Sequence, residues 1–279
     1  MSFKNKFSVN KILEWISNDN SEAVLRYIRF FAKPTDSFER HSQYCRIANR
    51  LISSGVDLPE LRISFLSGST IDHWIDSLRF WLLLEGFQLK SYLAPFNTWR
   101  QVVMNPAADI YSNNPHFIWL FLTWRDLRFT DISVPAGEID EEISHAISDV
   151  GGAVSNLCSK TKATIIVNNS DASPVRLFGN YEGQYQFSRS SLIQYYNLQL
   201  PAILPQGCII FDLFHQSSAF GLNHWDDPRL WHHSKHPFSM DAISSVAFSA
   251  ARVLTAALGK AKKCIVLDLD NTLWGGIIG

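Results

Sequence analysis

The chain of 279 residues predicts a three-layer, doubly wound α/β domain with a mostly parallel sheet and an N-terminal helical appendage. Three observations carry this. From residue 60 onward, short apolar runs alternate with longer helix-periodic segments, the mark of successive β-α-β units. His116 to Thr123 (HFIWLFLT) is apolar without alternation, as a central parallel strand buried on both faces requires. Residues 1–59 carry helical periodicity instead.

In chain order, Val9, Ile12, Leu13 and Ile16 repeat at helical spacing, and Ala23, Val24, Tyr27, Ile28, Phe30 and Phe31 do so after Asn20 or Ser21 as the capping residue. Pro34 ends that helix, and a third runs from about Phe38 to Ser53. Leu61 to Leu66 is a short β-run, followed by the turn Ser67-Gly68-Ser69-Thr70 and a helix from Ile71 to Glu85 that Gly86 closes. Phe87 to Leu93 is the next strand; a loop with Asn97 and Trp99 leads to the strand at 116–123, which ends in Trp124, Arg125 and Asp126. A helix spans Ala136 to Thr161, with Gly151-Gly152 expected to interrupt it. Ala163 to Val167 is a fourth strand, Ser170 to Gln186 a loop, Ser188 to Leu200 a helix and Gly207 to Phe214 a fifth strand. His215 to Ser239 reads as a long polar, aromatic, His-rich loop of the kind that carries function. The last helix runs from Ser239 or Met240 to Leu258, and Lys260 to Lys263 form a linker to a strand at Cys264–Leu267. The organisation expected is a helical segment over 1–59, an α/β domain over 60–259, and a linker with one strand over 260–279.

Composition bounds the function. Hydrophobic residues are 46% of the chain, ample for a core. With 25 basic and 26 acidic residues, a net charge of −1 gives no electrostatic footprint for nucleic acid. No segment approaches the ~20 apolar residues of a membrane span, and the first residues lack a secretory h-region, so a cytoplasmic location is expected. Cys45, Cys158, Cys208 and Cys264 are scattered without CxxC spacing, which argues against a zinc knuckle or a disulfide framework and for buried thiols.

Three stretches carry candidate chemistry. The first is the turn at 67–70. A serine after the first strand sits at the ligand-binding edge of the sheet, where N–H groups at a helix start stabilise an oxyanion; the plainer alternative is that Ser69 or Thr70 caps the helix. SGS at 67–69, TWRD at 123–126 and HSKHP at 233–237 stand where SGNH-type hydrolases, the GDSL esterases among them, have their GDS, GxND and DxxHP blocks. The chain therefore resembles an SGNH domain of flavodoxin-like layout with altered blocks. The resemblance implies Ser69 as nucleophile and His236 as general base, with Gly68, Asn97, Arg125 and Asp126 around the substrate. It also shows departures: Gly68 replaces an Asp, Arg125 or Trp124 the oxyanion Asn, and His233 the third acid. Asp226, Asp227 or Asp241 is left to orient His236.

The second stretch is HWDDPRLWHHSKHPFS, His224 to Ser239. His224, His232, His233 and His236 with Asp226 and Asp227 are residue types that ligate metal, although no fixed spacing such as HExxH is present. An aromatic lid in which Arg229 packs on Trp225 or Trp231 is the plainer reading. WDDPRLWHHSKHPFS is also similar to the segment that precedes the phosphatase part of FkbH-type proteins, and TIDHW after the first turn extends that resemblance.

The third stretch is CIVLDLDNTLWGGIIG, Cys264 to Gly279, where an apolar run delivers Asp268 and Asp270 to one face of an extended strand. It resembles motif I of the haloacid dehalogenase (HAD) superfamily, with Asp268 as nucleophile and Asp270 as general acid/base, both holding Mg²⁺ in a complete protein; the expectation is a HAD domain truncated after its first strand, inert in this chain and without a cofactor of its own. LDLDNTLWGGIIG is closer still to the HAD region of FkbH-type proteins. That likeness implies a parent that loads a glyceryl unit from 1,3-bisphosphoglycerate, an acyl phosphate, onto the phosphopantetheine thiol of an acyl carrier protein. For residues 60–259 it implies a domain that docks the carrier, with Arg125 and Arg229 nearby, or shapes the cleft. A working esterase or acyltransferase using Ser69 and His236, and a non-catalytic docking module, are the other two readings.

Overall fold

The computed structural model describes residues 12, 21–127, 129, 139–261, 263–268 and 275. Strands β1 (Glu60–Ser67), β2 (Gln88–Leu93), β3 (Phe117–Phe121), β4 (Thr164–Asn168) and β5 (Ile209–Phe211) form one sheet in the order β2-β1-β3-β4-β5. Every pairing is parallel, with Phe65 of β1 in register with Leu93 and Trp119. Strand order reverses between β1 and β3, and open α/β sheets bind ligands beyond the carboxyl ends of strands at such a point.

Period-two alternation sorts the strand residues into two cores. Ile63, Phe65, Phe117, Trp119, Phe121, Ile166 and Phe211 face one layer, made by α1 (Ser21–Phe31), α2 (Phe38–Ser53), α3 (Asp72–Leu84) and α10 (Ala242–Ala257). Leu66, Ile118, Leu120, Ile165 and Val167 face the other, made by α4 (Trp99–Met104), α5 (Ile139–Lys160) and α6 (Arg189–Ile203). The appendage is built into the first core: Val24, Ile28, Tyr44, Ile47 and Leu51 are buried with α3 and α10. Among the described residues no helix is long and apolar enough to cross a membrane.

The helix expected over Val9–Ile16 lies outside the described residues apart from Ile12, which is helical and buried. Five expectations are corrected. The loop after β2 contains α4 and a 3-10 turn at Asp109–Tyr111. Gly151-Gly152 does not interrupt α5; a Cβ on Gly151 would stand 2.6 Å from Ile203 Cδ1, so the glycine lets α6 approach. β5 is shorter than Gly207–Phe214, because Asp212 accepts from His215 N and starts α7 (Leu213–Phe220). The stretch 215–239 is not a loop: Gly221, at φ +96°, separates α7 from α8 (Leu222–Trp225), and Asp227 with Pro228 opens α9 (Pro228–Ser234). Residues 264–267 form no strand; Ile265, Val266 and Leu267 are exposed and pair with no neighbouring strand. An apolar run becomes a strand only where a sheet edge satisfies its backbone.

Candidate functional site

The carboxyl edge of the sheet gathers the turn after β1, Asn97 after β2, Thr123–Asp126 after β3, Asn168–Asp171 after β4 and the segment 225–239. Where β3 stops, Asn168 takes over its ladder: Leu122 N donates to Asn168 Oδ1 at 3.2 Å, and Asn168 Nδ2 donates to Leu122 O. That leaves Thr123 to Asp126 free to turn back over β1.

Ser69 lies at the bottom of this edge, 3% exposed. Its Oγ is buried with no hydrogen-bond partner in the described structure, so no bond joins it to His236. Its N–H donates to Ser67 Oγ at 3.0 Å, and the Thr70 N–H donates to Lys235 O at 2.9 Å. The N–H groups of Ser69 and Thr70 are thus spent inside the protein. His236 is also buried, and its Nδ1 lies 3.2 Å from Thr70 O. A carbonyl only accepts, so the proton sits on Nδ1 and the neutral ring leaves Nε2 unprotonated. Burial, and next the neighbouring His73 ring at 5.4 Å, lower the imidazole's pKa against the opposing Thr70 contact.

The acids considered as orienters of His236 are engaged elsewhere. Asp226 pairs with Arg125 at 2.5 Å, Asp227 caps α9 and pairs with Arg229 at 2.9 Å, and Asp241 accepts from Phe38 N at 3.2 Å. Thr70 O occupies the place an orienting carboxylate takes in a triad. His233 is exposed on α9.

Arg125 has its guanidinium between two rings, 4.3 Å from the centroid of Trp124 and 4.5 Å from that of Trp231. It also donates to Pro237 O at 3.4 Å, so one side chain ties the β3 turn to α8, α9 and the HP segment. The cation–π partner of Trp231 is therefore Arg125, together with Lys235 at 5.2 Å, while Arg229 points outward, ion-paired to Asp227. Asn97 is exposed, with φ +56°, and its N–H donates to Ser67 O at 3.2 Å.

Asp126 stands against Gly68: a Cβ built on Gly68 would meet Asp126 Oδ1 at 1.6 Å. Its Oδ2 accepts from Thr123 N at 2.7 Å and Thr123 Oγ1 at 3.1 Å, and burial raises its pKa to about 6. Asp171, which the sequence reading passed over, is fully buried and accepts from Trp124 N at 2.8 Å and Trp225 Nε1 at 2.9 Å. Burial pushes its carboxyl up to about 7. The signal was an acid soon after an apolar strand, the position Asp126 holds after β3. Past Asp171, a cavity of about 300 Å³ is lined by Ser173, Arg176, Glu182, Ser190 and Gln194 over Phe214 and Leu222.

Asp268 is exposed; Asp270 lies outside the described residues. No group of three or more His, Cys, Asp or Glu that could hold a metal is gathered among the described residues, the histidines of 224–236 included. Asp268 alone does not make a Mg²⁺ site.

The comparison with curated proteins gave no match. Among solved structures the chain is similar to the N-terminal part of BF1531 from Bacteroides fragilis, which contains a phosphatase domain complexed with Mg: 21% identity, TM-score 0.67, covering 87% of this chain and 62% of that one. The chain thus spans less than two thirds of that structure. It is more distantly similar to the acetyl xylan esterase AlAXEase, at 13% identity and TM-score 0.46, covering 70% of this chain and 100% of that one. For the lipase/acylhydrolase from Enterococcus faecalis the values are 11% and 0.43, covering 70% and 96%. The family model described as FkbH, N-terminal domain, matches residues 62–255, and the chain belongs to that family.

Proposed function

We propose that this chain is the N-terminal part of a protein that loads a glyceryl unit from 1,3-bisphosphoglycerate onto an acyl carrier protein, and that the α/β domain binds and shapes the substrate cleft without hydrolysing an ester. Its wiring at Ser69 carries this reading. The hydroxyl has no base bonded to it, the N–H groups of Ser69 and Thr70 are committed, and His236 is held by a carbonyl in place of a carboxylate. Nucleophilic hydrolysis needs a base bonded to the hydroxyl and free donors for the oxyanion, and it gains from a carboxylate behind the imidazole. Family membership and the likeness to a structure with a phosphatase domain support the reading of the whole protein. Acyl-phosphate chemistry then belongs to Asp268 and Asp270 with Mg²⁺, completed by other residues of the phosphatase domain.

The cavity beside Asp171 is the space assigned to the carrier's arm, with Arg176 in its lining. Arg125 is not a carrier-facing charge in this reading, because Asp226 neutralises it in a buried pair.

The test uses the complete protein with 1,3-bisphosphoglycerate and holo carrier. Phosphate release and carrier acylation should vanish with Asp268→Asn and survive Ser69→Ala. In parallel, p-nitrophenyl acetate hydrolysis should stay at the uncatalysed rate. Ester hydrolysis well above that rate and abolished by Ser69→Ala would establish the esterase reading instead.

A further inference from the structure

Cys158, near the end of α5, and Cys208, just before β5, are 50 residues apart in sequence, yet their Sγ atoms lie 3.7 Å from each other. Both residues are partly exposed and border the core shared by α5 and α6. No CxxC spacing announces them; the fold brings them together, because the last turn of α5, which leads into β4, and the turn into β5 lie side by side at the amino-terminal edge of the sheet. A disulfide needs the sulfurs at about 2.0 Å, so closure asks for a movement of less than 2 Å, within reach of side-chain rotation with a small shift of the turn at Cys208.

We propose that Cys158 and Cys208 form an oxidative cross-link site, which a peroxide closes to an intramolecular disulfide that staples α5 to β5. One thiolate attacks the peroxide oxygen, giving a sulfenic acid and hydroxide. The other thiolate then attacks that sulfur, forming the S–S bond and expelling a second hydroxide; the two protons shed by the thiols turn both hydroxides into water, so overall two thiols are oxidised and one peroxide is reduced. Burial, with the adjoining Cys158 thiol, pushes Cys208 up to about 12. Its thiolate is scarce at neutral pH, so the link forms slowly at pH 7 and faster as pH rises towards 10. The pair lies opposite the Ser69 edge, so the cross-link stands or falls separately from the proposed function.

The experiment uses the full chain carrying Cys264→Ser, which removes an exposed thiol able to link two molecules. After graded hydrogen peroxide, digestion without reductant should give a peptide pair joined through Cys158 and Cys208. Constraining a loop of this length should raise Tm by roughly 5–10 °C, reversed by dithiothreitol. Cys158→Ser should abolish both changes. Oxidation of either cysteine to the sulfinic acid, or links to Cys45, without a Cys158–Cys208 peptide would overturn the proposal. That measurement needs no variant at either position.

Discussion

A methyl group on Gly68 would have to share its space with Asp126 Oδ1, 1.6 Å away. In sequence, Gly68 reads as the loss of a family carboxylate. In three dimensions the carboxylate comes from the neighbouring loop, clamped by the Thr123 N–H and hydroxyl. Nothing local to either residue reveals the exchange, since it depends on two loops meeting over β1 and β3. Gly68→Ala should therefore destabilise the protein by about 1–3 kcal/mol in urea unfolding. Asp126→Ala in the same chain should recover part of that loss, giving a coupling energy above ~0.5 kcal/mol in a double-mutant cycle. Strict additivity would show that the two residues do not compete for space.

Among the elements, the five strands and the long helices were legible because burial on one or both faces writes itself into the apolar pattern. The helices α7 to α9 were not, because their composition is polar and aromatic and their boundaries rest on single residues: Asp212, Gly221, Asp227 and Pro228. Of the site, Ser69 and His236 were legible through the turn and the HP segment, but the partners that decide their chemistry, Thr70 O, Ser67 Oγ and Lys235 O, are invisible to any motif. Arg125 was singled out, yet its role depends on two rings and an acid supplied from α8 and α9. Its side chain is 8% exposed and that of Asp226 6%. Arg125→Ala leaves that acid buried without its cation and should cost about 3–5 kcal/mol. It should also free α8 and α9 to move, seen as faster amide exchange over residues 222–237. Arg125→Lys should not restore protection, since an ammonium lacks the planar fork that stacks between Trp124 and Trp231. Full protection in the Lys variant would mean that charge alone holds the segment.

At the scale of the whole molecule, three helices of the first core meet around His41, 1% exposed. It sits on α2, with Nε2 2.6 Å from Ser77 Oγ of α3 and Nδ1 3.2 Å from Ser244 Oγ of α10. Its ring stacks on Trp81 at 5.7 Å, so the appendage is anchored by a polar contact set inside an apolar layer. Burial lowers the imidazole from 6.5 to about 4. Between those values the unfolded chain binds a proton that the folded one refuses, so this residue's contribution to stability is complete above about pH 6.5 and is lost as pH falls to 4. The difference amounts to about 3 kcal/mol. Asp126 and Asp171, raised by burial to about 6 and about 7, work in the opposite sense, gaining stability as pH falls from 7 towards 4. The wild-type curve alone therefore mixes the two signs. The His41→Gln variant cannot titrate there, so the difference between its unfolding free energy and that of wild type isolates the imidazole. That difference should be largest above pH 6.5 and shrink by about 3 kcal/mol on reaching pH 4. A difference that stays constant across that range would show that His41 is not the buried base holding the appendage to α3 and α10.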